Sequence, residues 1–264
     1  MNAQQIMNLL FLMDTKADYS NTVDTFKSGD AQKEVKKVGV AMFGTYKVIK
    51  EAAEWGAELL VVHEPIYYHH RDLTEHLQNN PVYLEKLSLI EKNGMAICRL
   101  HDHMHRADPD EIGIGEMDAL GLAYTHTANP YYAVNRFELK EELTAGALLE
   151  RIKTVLGVRF ARLVGDPENK VKVISACFGT PGHLMDEISA DGVDIVLAGE
   201  AEEWSICEYV RDMSDMGMNK SMIVMGHCGS EREGMARIGC ILQKKLSKND
   251  IEVKYFECHE PFSK

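Results

Sequence analysis

Residues 100–121 read LHDHMHRADPDEIGIGEMDALG, so His101, His103 and His105 fall at every second position where an apolar run gives way to acids and glycines. Imidazoles at this density can ligate a metal or simply decorate a loop, and spacing alone does not choose between the two. The choice turns on whether other ligand types arrive at the same place. His63 and Glu64 follow the apolar run AELLVV, Glu200 follows VDIVLA, and His227 follows SMIVMG with Glu231 four residues further on. A carboxylate in the first turn of a helix is favoured by the helix dipole, and a four-residue offset can aim His227 and Glu231 into one space. Imidazole with carboxylate suits Zn, Mn or Fe rather than Ca. Taken alone, the His227/Glu231 pair also fits a loop histidine beside a helix-start acid. Pro65 restricts the backbone before it to an extended turn, which holds His63 and Glu64 just past the strand, where adjacent residues can face two different ions. His69, His70 and His76 read as solvated loop or helix residues, and Tyr67 and Tyr68 as pocket lining or packing.

Those residues need a scaffold that gathers them, and the apolar patterning supplies one. Runs of strand length alternate with helical patterns: VKKVGVAMF, then TYKVIKEAAEW, AELLVVH, PVYLEKLSLIEKNG and MAICRL. The second half repeats the rhythm with helix LTAGALLERIKTVLG, a hairpin over VRFARLVGDPENKVKVISACFG, helix HLMDEISADG and strand VDIVLAG. Helix EAEEWSICEYVRDM, strand SMIVMG, helix SEREGMARIGCILQKKL and strand IEVKYFE complete it. The N-terminal AQQIMNLLFLMDT reads as a packed helix. This is an α/β class, with a mostly parallel sheet and flanking helices. Four strands deliver ionisable groups at their carboxyl ends, where open α/β sheets build binding crevices. The loosest stretch, 106–133, is rich in Asp, Gly and Pro and places a boundary near 125–130. The expectation is two intimately packed lobes, 1–127 with the C-terminal segment returning to it and 128–264, with the metal site in the cleft between them; a single domain is the alternative.

At 264 residues and 45% hydrophobic the chain can bury a substantial core. Its formal charge of -12 repels phosphate backbones and anionic membranes, which argues against nucleic-acid and membrane partners. The six cysteines lack CxxC spacing and the density of a secreted scaffold, so reduced thiols in a cytoplasmic protein are expected. IMNLLFLM lacks a basic flank and is too short to span a bilayer. ACFGTPGH, with Gly179 and Gly182, is not a phosphate-binding Walker loop, because no Gly-Lys-Ser/Thr follows. The 14 Met residues fall mostly at helical or strand core positions and need no cofactor.

With those motifs in place, the chain resembles the dinuclear-metal family named after NGG-interacting factor three, some of whose members carry the name GTP cyclohydrolase I type 2. The likeness runs from VKKVGVAMFGTYKVIKEAAEWGAELLVVHEP through ISACFGTPG and GVDIVLAGEAEEW to GHCGSEREGMARIGCILQKKLSKNDIEVKYFECHEPF. The family usually shows His-His-Pro where this chain has His63-Glu64-Pro65, and His-Thr-Asn-Leu-Asp where it has His101 to His105. One imidazole and one carboxylate have therefore changed places, and the charge and mixed character of the ligand set are preserved. Ala198, Trp204 and Phe43 also depart from the family pattern and place the chain on a divergent branch.

The resemblance implies two divalent transition-metal ions (Zn, Mn or Fe) held by His63, Glu64, His105, His227 and Glu231, with His101 as an auxiliary or orienting ligand. Glu231 is the bridging candidate, since a carboxylate can span two ions. Glu231, Glu200 and His101 are the candidate catalytic residues, Glu200 as proton acceptor or as an ordinary helix-start acid, while His103 points elsewhere. The expected activity is hydrolysis of a small phosphorylated or nucleotide-like or purine-like substrate by metal-activated water. The rival is a non-enzymatic metal-binding adaptor or regulatory protein. A homo-oligomer, a hexamer by resemblance, is also implied. Readings of HxHxH as a metallo-β-lactamase or amidohydrolase core are disfavoured, because Arg106 follows His105 and the chain is short for an eightfold barrel.

Overall fold

The computed structural model describes residues 1–13, 18–128 and 134–262. In chain order the helices are α1 (Ala3–Phe11), α2 (Tyr46–Trp55), α3 (Pro81–Asn93), α4 (Asp102–Arg106), α5 (Glu111–Leu120), α6 (Ala145–Val155), α7 (Leu184–Ser189), α8 (Glu208–Asp215) and α9 (His227–Lys245). The strands are β1 (Phe26–Ser28), β2 (Lys37–Ala41), β3 (Leu59–Val62), β4 (Ala96–Arg99), β5 (Tyr124–Ala128), β6 (Val134–Thr144), β7 (Arg162–Val164), β8 (Lys170–Cys177), β9 (Ile195–Ala198), β10 (Ser221–Val224) and β11 (Glu252–Tyr255). Two compact units result, Met1–Ile112 with Gly234–His259, and Gly113–Glu233 with Glu260–Lys264. No described helix is long and apolar enough to cross a membrane.

In the first unit the sheet order is β1-β4-β3-β2-β11, parallel except for the antiparallel β1 edge. Strands β3 and β4 are buried at every residue, as expected of parallel strands covered on both faces, and their sequences LLVV and AICR are correspondingly apolar except at one residue, Arg99. Local signals set the flanking helices. Thr45 caps α2 by accepting from the Val48 amide, Asn80 caps α3 by accepting from Val82 and Tyr83 with Pro81 at the first turn, and Gly56 and Gly94 end these helices at positive φ. The register pairs Val62 with Arg99, so β3 and β4 end side by side and the residues after them emerge together.

In the second unit the order is β5-β6-β8-β9-β10-β7. Alternation along the central strands builds two cores: Ile195, Leu197 and Ile223 face one, and Val196, Ala198, Met222 and Val224 the other. Here too the strand ends align, Cys177 beside Ala198 and Ala198 beside Val224.

Several elements differ from the sequence reading. The hairpin expected over 158–179 does not form: β7 pairs antiparallel with β10, and β8 lies between β6 and β9. The cause is burial. The last four residues of β8 are buried and need a partner on each side, whereas β7 is short and partly exposed and suits an edge. Gly165, at φ +106°, lets the chain turn against the start of β10, where a Cβ would lie 2.8 Å from the Ser221 hydroxyl. The stretch read as loose, 106–133, contains α5 and β5, and its last residues lie outside those described, as do 129–130 of the expected boundary. The helix read over 3–15 ends at Phe11, and its last two residues also fall outside the description. The first sheet is parallel but for its β1 edge, and the second is parallel across β8-β9-β10 with antiparallel strands on either side.

Candidate metal centre

Because β3 and β4 end at one level, His63 and His101 leave adjacent strands with ring centroids 4.6 Å apart. The chain then turns into α4, which brings His105 round to the same place, its ring centroid 4.9 Å from that of His63 and 4.8 Å from that of His101. One ligand atom from each of the three rings lies within 4.8 Å of the others. The Nε2 atoms of His63 and His105 are 3.1 Å apart.

Each ring is anchored through Nδ1. That of His63 is 2.9 Å from the Leu100 carbonyl, that of His101 is 3.0 Å from Asp102 Oδ1, and that of His105 is 3.0 Å from Asp110 Oδ2. A carbonyl or carboxylate accepts only, so each Nδ1 carries a proton and each ring turns its Nε2 toward the cluster. Two Nε2 atoms 3.1 Å apart are satisfied by a proton shared between the rings or by a metal cation held between or beside them. Imidazole held by a carboxylate or carbonyl, with Nε2 turned inward, is the arrangement by which proteins orient metal ligands. The donor set therefore fits a divalent transition ion.

Glu64 belongs to this cluster. Its Oε1 is 3.6 Å from His101 Nε2 and 4.0 Å from His63 Nε2, while its Oε2 is 3.4 Å from the buried Arg99 guanidinium. Asp24 fixes the α4 end. It accepts from the amides of His101 (2.6 Å), Asp102 (3.1 Å) and His103 (2.9 Å), filling the place of an N-cap that His101 does not supply. Burial works against the charge on Asp24 and Asp102, but hydrogen bonds from His103 and from His101 with Thr22, respectively, hold both carboxyls below their ordinary range. His103 turns away from the three rings: its Nδ1 is 2.6 Å from Asp24 and its ring stacks on Tyr19 at 3.6 Å. His70 and His76 are exposed.

The second unit builds a matching pair. Thr180, Glu200 and His227 follow the aligned ends of β8, β9 and β10, and His227 opens α9, so Glu231 lies one turn along on the same helix face. His227 Nδ1 is 2.7 Å from Glu200 Oε1 and 3.3 Å from the Thr180 hydroxyl, and its Nε2 is 3.3 Å from Glu231 Oε2. With the proton at Nδ1 donated to Glu200, the Nε2 lone pair confronts a carboxylate, a second arrangement that a cation would reconcile. Gly179 makes room for it: at φ +64°, a Cβ there would sit 2.7 Å from Glu231 Oε1. The Gly179 amide donates to the Ser230 hydroxyl, which donates to the His227 carbonyl. Beside Thr180 and Glu200 opens a cavity of about 560 Å³, also lined by His183, Met185, Glu202 and Ile206.

The structure thus gathers His63, Glu64, His101 and His105 in the first unit, and Glu200, His227 and Glu231 in the second. Sequence reasoning missed the anchors Asp24, Arg99, Asp102 and Asp110. The Asp-Pro-Asp run that ends five residues past His105 was the available signal for Asp110.

A family model described as Duf34/NIF3 (NGG1p interacting factor 3) matches residues 2–261. Among curated relatives, a GTP cyclohydrolase 1 type 2 homolog of Clostridium perfringens is 24% identical, covering 89% of this chain and 88% of its own. A NIF3-like protein 1 of Drosophila melanogaster is also 24% identical, over 82% of this chain and 73% of its own. Among solved structures, a Bacillus cereus protein related to NIF3 superposes with a TM-score of 0.81 at 16% identity, covering 100% of this chain and 99% of its own. Staphylococcus aureus protein SA1388 superposes with a TM-score of 0.78 at 19% identity over the same shares, and both likenesses support the fold.

Proposed function

The chain belongs to the Duf34/NIF3 family, and on that premise we propose that it is a dinuclear metal-dependent hydrolase of a small phosphorylated or nucleotide-like or purine-like substrate. His63, Glu64, His101 and His105 would serve one ion, and His227 with Glu231 a second. The 3.1 Å approach of the His63 and His105 Nε2 atoms, each ring held by an acceptor at Nδ1, carries this reading, because a cation bound there would satisfy both. Bound there, divalent transition ions would polarise a substrate oxygen and make water a competent nucleophile near neutral pH.

The chain's own groups define the rest. Asp110, Asp102 and the Leu100 carbonyl hold the proton of each first-unit ring on Nδ1 and so keep every Nε2 available. Glu200 does the same for His227 and, half-exposed on the cavity wall, would accept a proton from a substrate. A cavity of about 560 Å³ has the size of a small-molecule site. Relatives named GTP cyclohydrolase 1 type 2 homolog support a purine-like substrate. The homohexamer implied by the family resemblance is part of the same reading, and light scattering of the purified protein tests it.

The decisive experiment purifies the protein without chelator, measures bound metal, and assays phosphoesters, nucleotides and cyclic amides with Zn, Mn or Fe. Two ions per chain and turnover abolished in a His227→Ala/Glu231→Ala variant are expected. No transition metal in the wild type would overturn the reading. Stoichiometric binding of a partner without turnover would favour the metal-binding adaptor.

A further inference from the structure

The largest fully buried side chain among the described residues is a charged one, Arg99. It closes β4, beside the β3 residue that precedes His63. Its Nε donates to the His63 carbonyl at 2.8 Å, its Nη1 to the His70 carbonyl at 2.5 Å, and its Nη2 lies 3.4 Å from Glu64 Oε2. A rigid guanidinium fork therefore holds both the backbone on either side of Glu64 and one of its two carboxylate oxygens. The other oxygen, Oε1, is the one turned toward His101 and His63.

We propose that Arg99 is a positioning residue that sets the metal preference of the first-unit donors, by leaving Glu64 a single oxygen for the ion and cancelling the charge this carboxylate brings. The inference rests on the metal-centre reading above. With Arg99 in place, the first unit groups the imidazole nitrogens of His63, His101 and His105, and Glu64 adds a single oxygen beside two of them, His101 and His63. Separations of 3.1, 3.6 and 4.0 Å straddle the roughly 3.3 Å edge of a tetrahedron with bonds of about 2.0 Å. Such a nitrogen-rich set favours zinc. A carboxylate free to bind through both oxygens would raise the oxygen count and the negative charge, and shift the balance toward manganese.

The test is a competition between zinc and manganese for apo protein, read by elemental analysis after equilibrium dialysis. Wild type, Arg99→Lys and Arg99→Met are compared, each with Glu64 intact and with Glu64→Gln. The Arg99 variants are expected to lower the zinc-to-manganese affinity ratio by about tenfold or more, in line with the loss of an outer metal-site contact. In the Glu64→Gln background the same substitutions should leave the ratio where Glu64→Gln alone puts it. Arg99→Lys keeps the charge and the buried stem, and it carries the comparison if Arg99→Met does not fold. Equal weakening of both metals, or the same shift with and without the Glu64 carboxylate, would make Arg99 a merely structural residue and overturn the inference. A wild type that holds no transition metal would overturn the metal-centre reading itself.

Discussion

His63 and His105 stand 42 positions apart in the chain, yet their Nε2 atoms lie 3.1 Å from each other, each ring pinned from behind by an acceptor at Nδ1. Neither ring can relieve the other by tautomerising without losing its anchor. Replacing one of them should therefore remove the first-unit ion rather than weaken it mildly. In His105→Ala, the dissociation constant for that ion should rise by more than about a hundredfold, beyond the roughly ten- to hundredfold cost of losing an orienting partner. Zinc titration of the apo variant measures it, and near wild-type affinity would refute the ligand assignment.

Asp110 offers a gentler probe of the same ring. One of its oxygens faces His105 Nδ1 at 3.0 Å and the other accepts from the Ile112 amide at 2.9 Å. Asp110→Asn keeps the shape and one acceptor but lowers the basicity that the ring passes to a metal. Affinity should fall about ten- to hundredfold, with the melting temperature little changed.

Gly179→Ala should act on the other unit. The new methyl would meet Glu231 Oε1 at 2.7 Å, and the left-handed backbone at this position adds about 1 kcal/mol of strain. Loss of one of two ions with the first-unit ion retained is expected, by elemental analysis. Full metal content would show that Glu231 has room to move without consequence.

Lys86 gives a pH dependence. Burial pushes its amine down to about 8 from 10.5, and it donates to the Ile66 carbonyl at 2.6 Å. Below pH 8 folded and unfolded chains both carry the proton, and the whole cost of burying the charge is felt. Between pH 8 and 10.5 the folded chain gives up its proton first, so stability rises with pH. Urea unfolding at pH 7.5 and 9.5 should show wild type gaining about 2 kcal/mol relative to Lys86→Met. An unchanged difference between the two proteins would contradict this.

The strands that carry the site were readable because β3, β4, β9 and β10 are short apolar runs, and the polar residues closing each run mark the strand ends. His227 and Glu231 were readable as a helical pair, although α9 begins three residues earlier than the pattern suggested. The hairpin was misread because strand identity is local and pairing is not: nothing within VRFARLV says that its partner is β10. The anchors escaped for a related reason. Asp24 precedes the amides it caps by 77 to 79 positions, and only the fold makes it part of α4. Arg99 sits inside the run MAICRL, and nothing local in that run says that its charge is buried, as it is in the structure.

That buried guanidinium ties the fate of one residue to another. If Glu64 were replaced by histidine, Arg99 would keep its two carbonyl partners and lose the carboxylate it meets among the described residues, and a buried charge stripped of its counter-ion costs about 3–5 kcal/mol. Glu64 is thus not exchangeable for a neutral ligand by itself: the same change that alters the donor also strands a cation in the core, and a second substitution at Arg99 is needed to restore the balance.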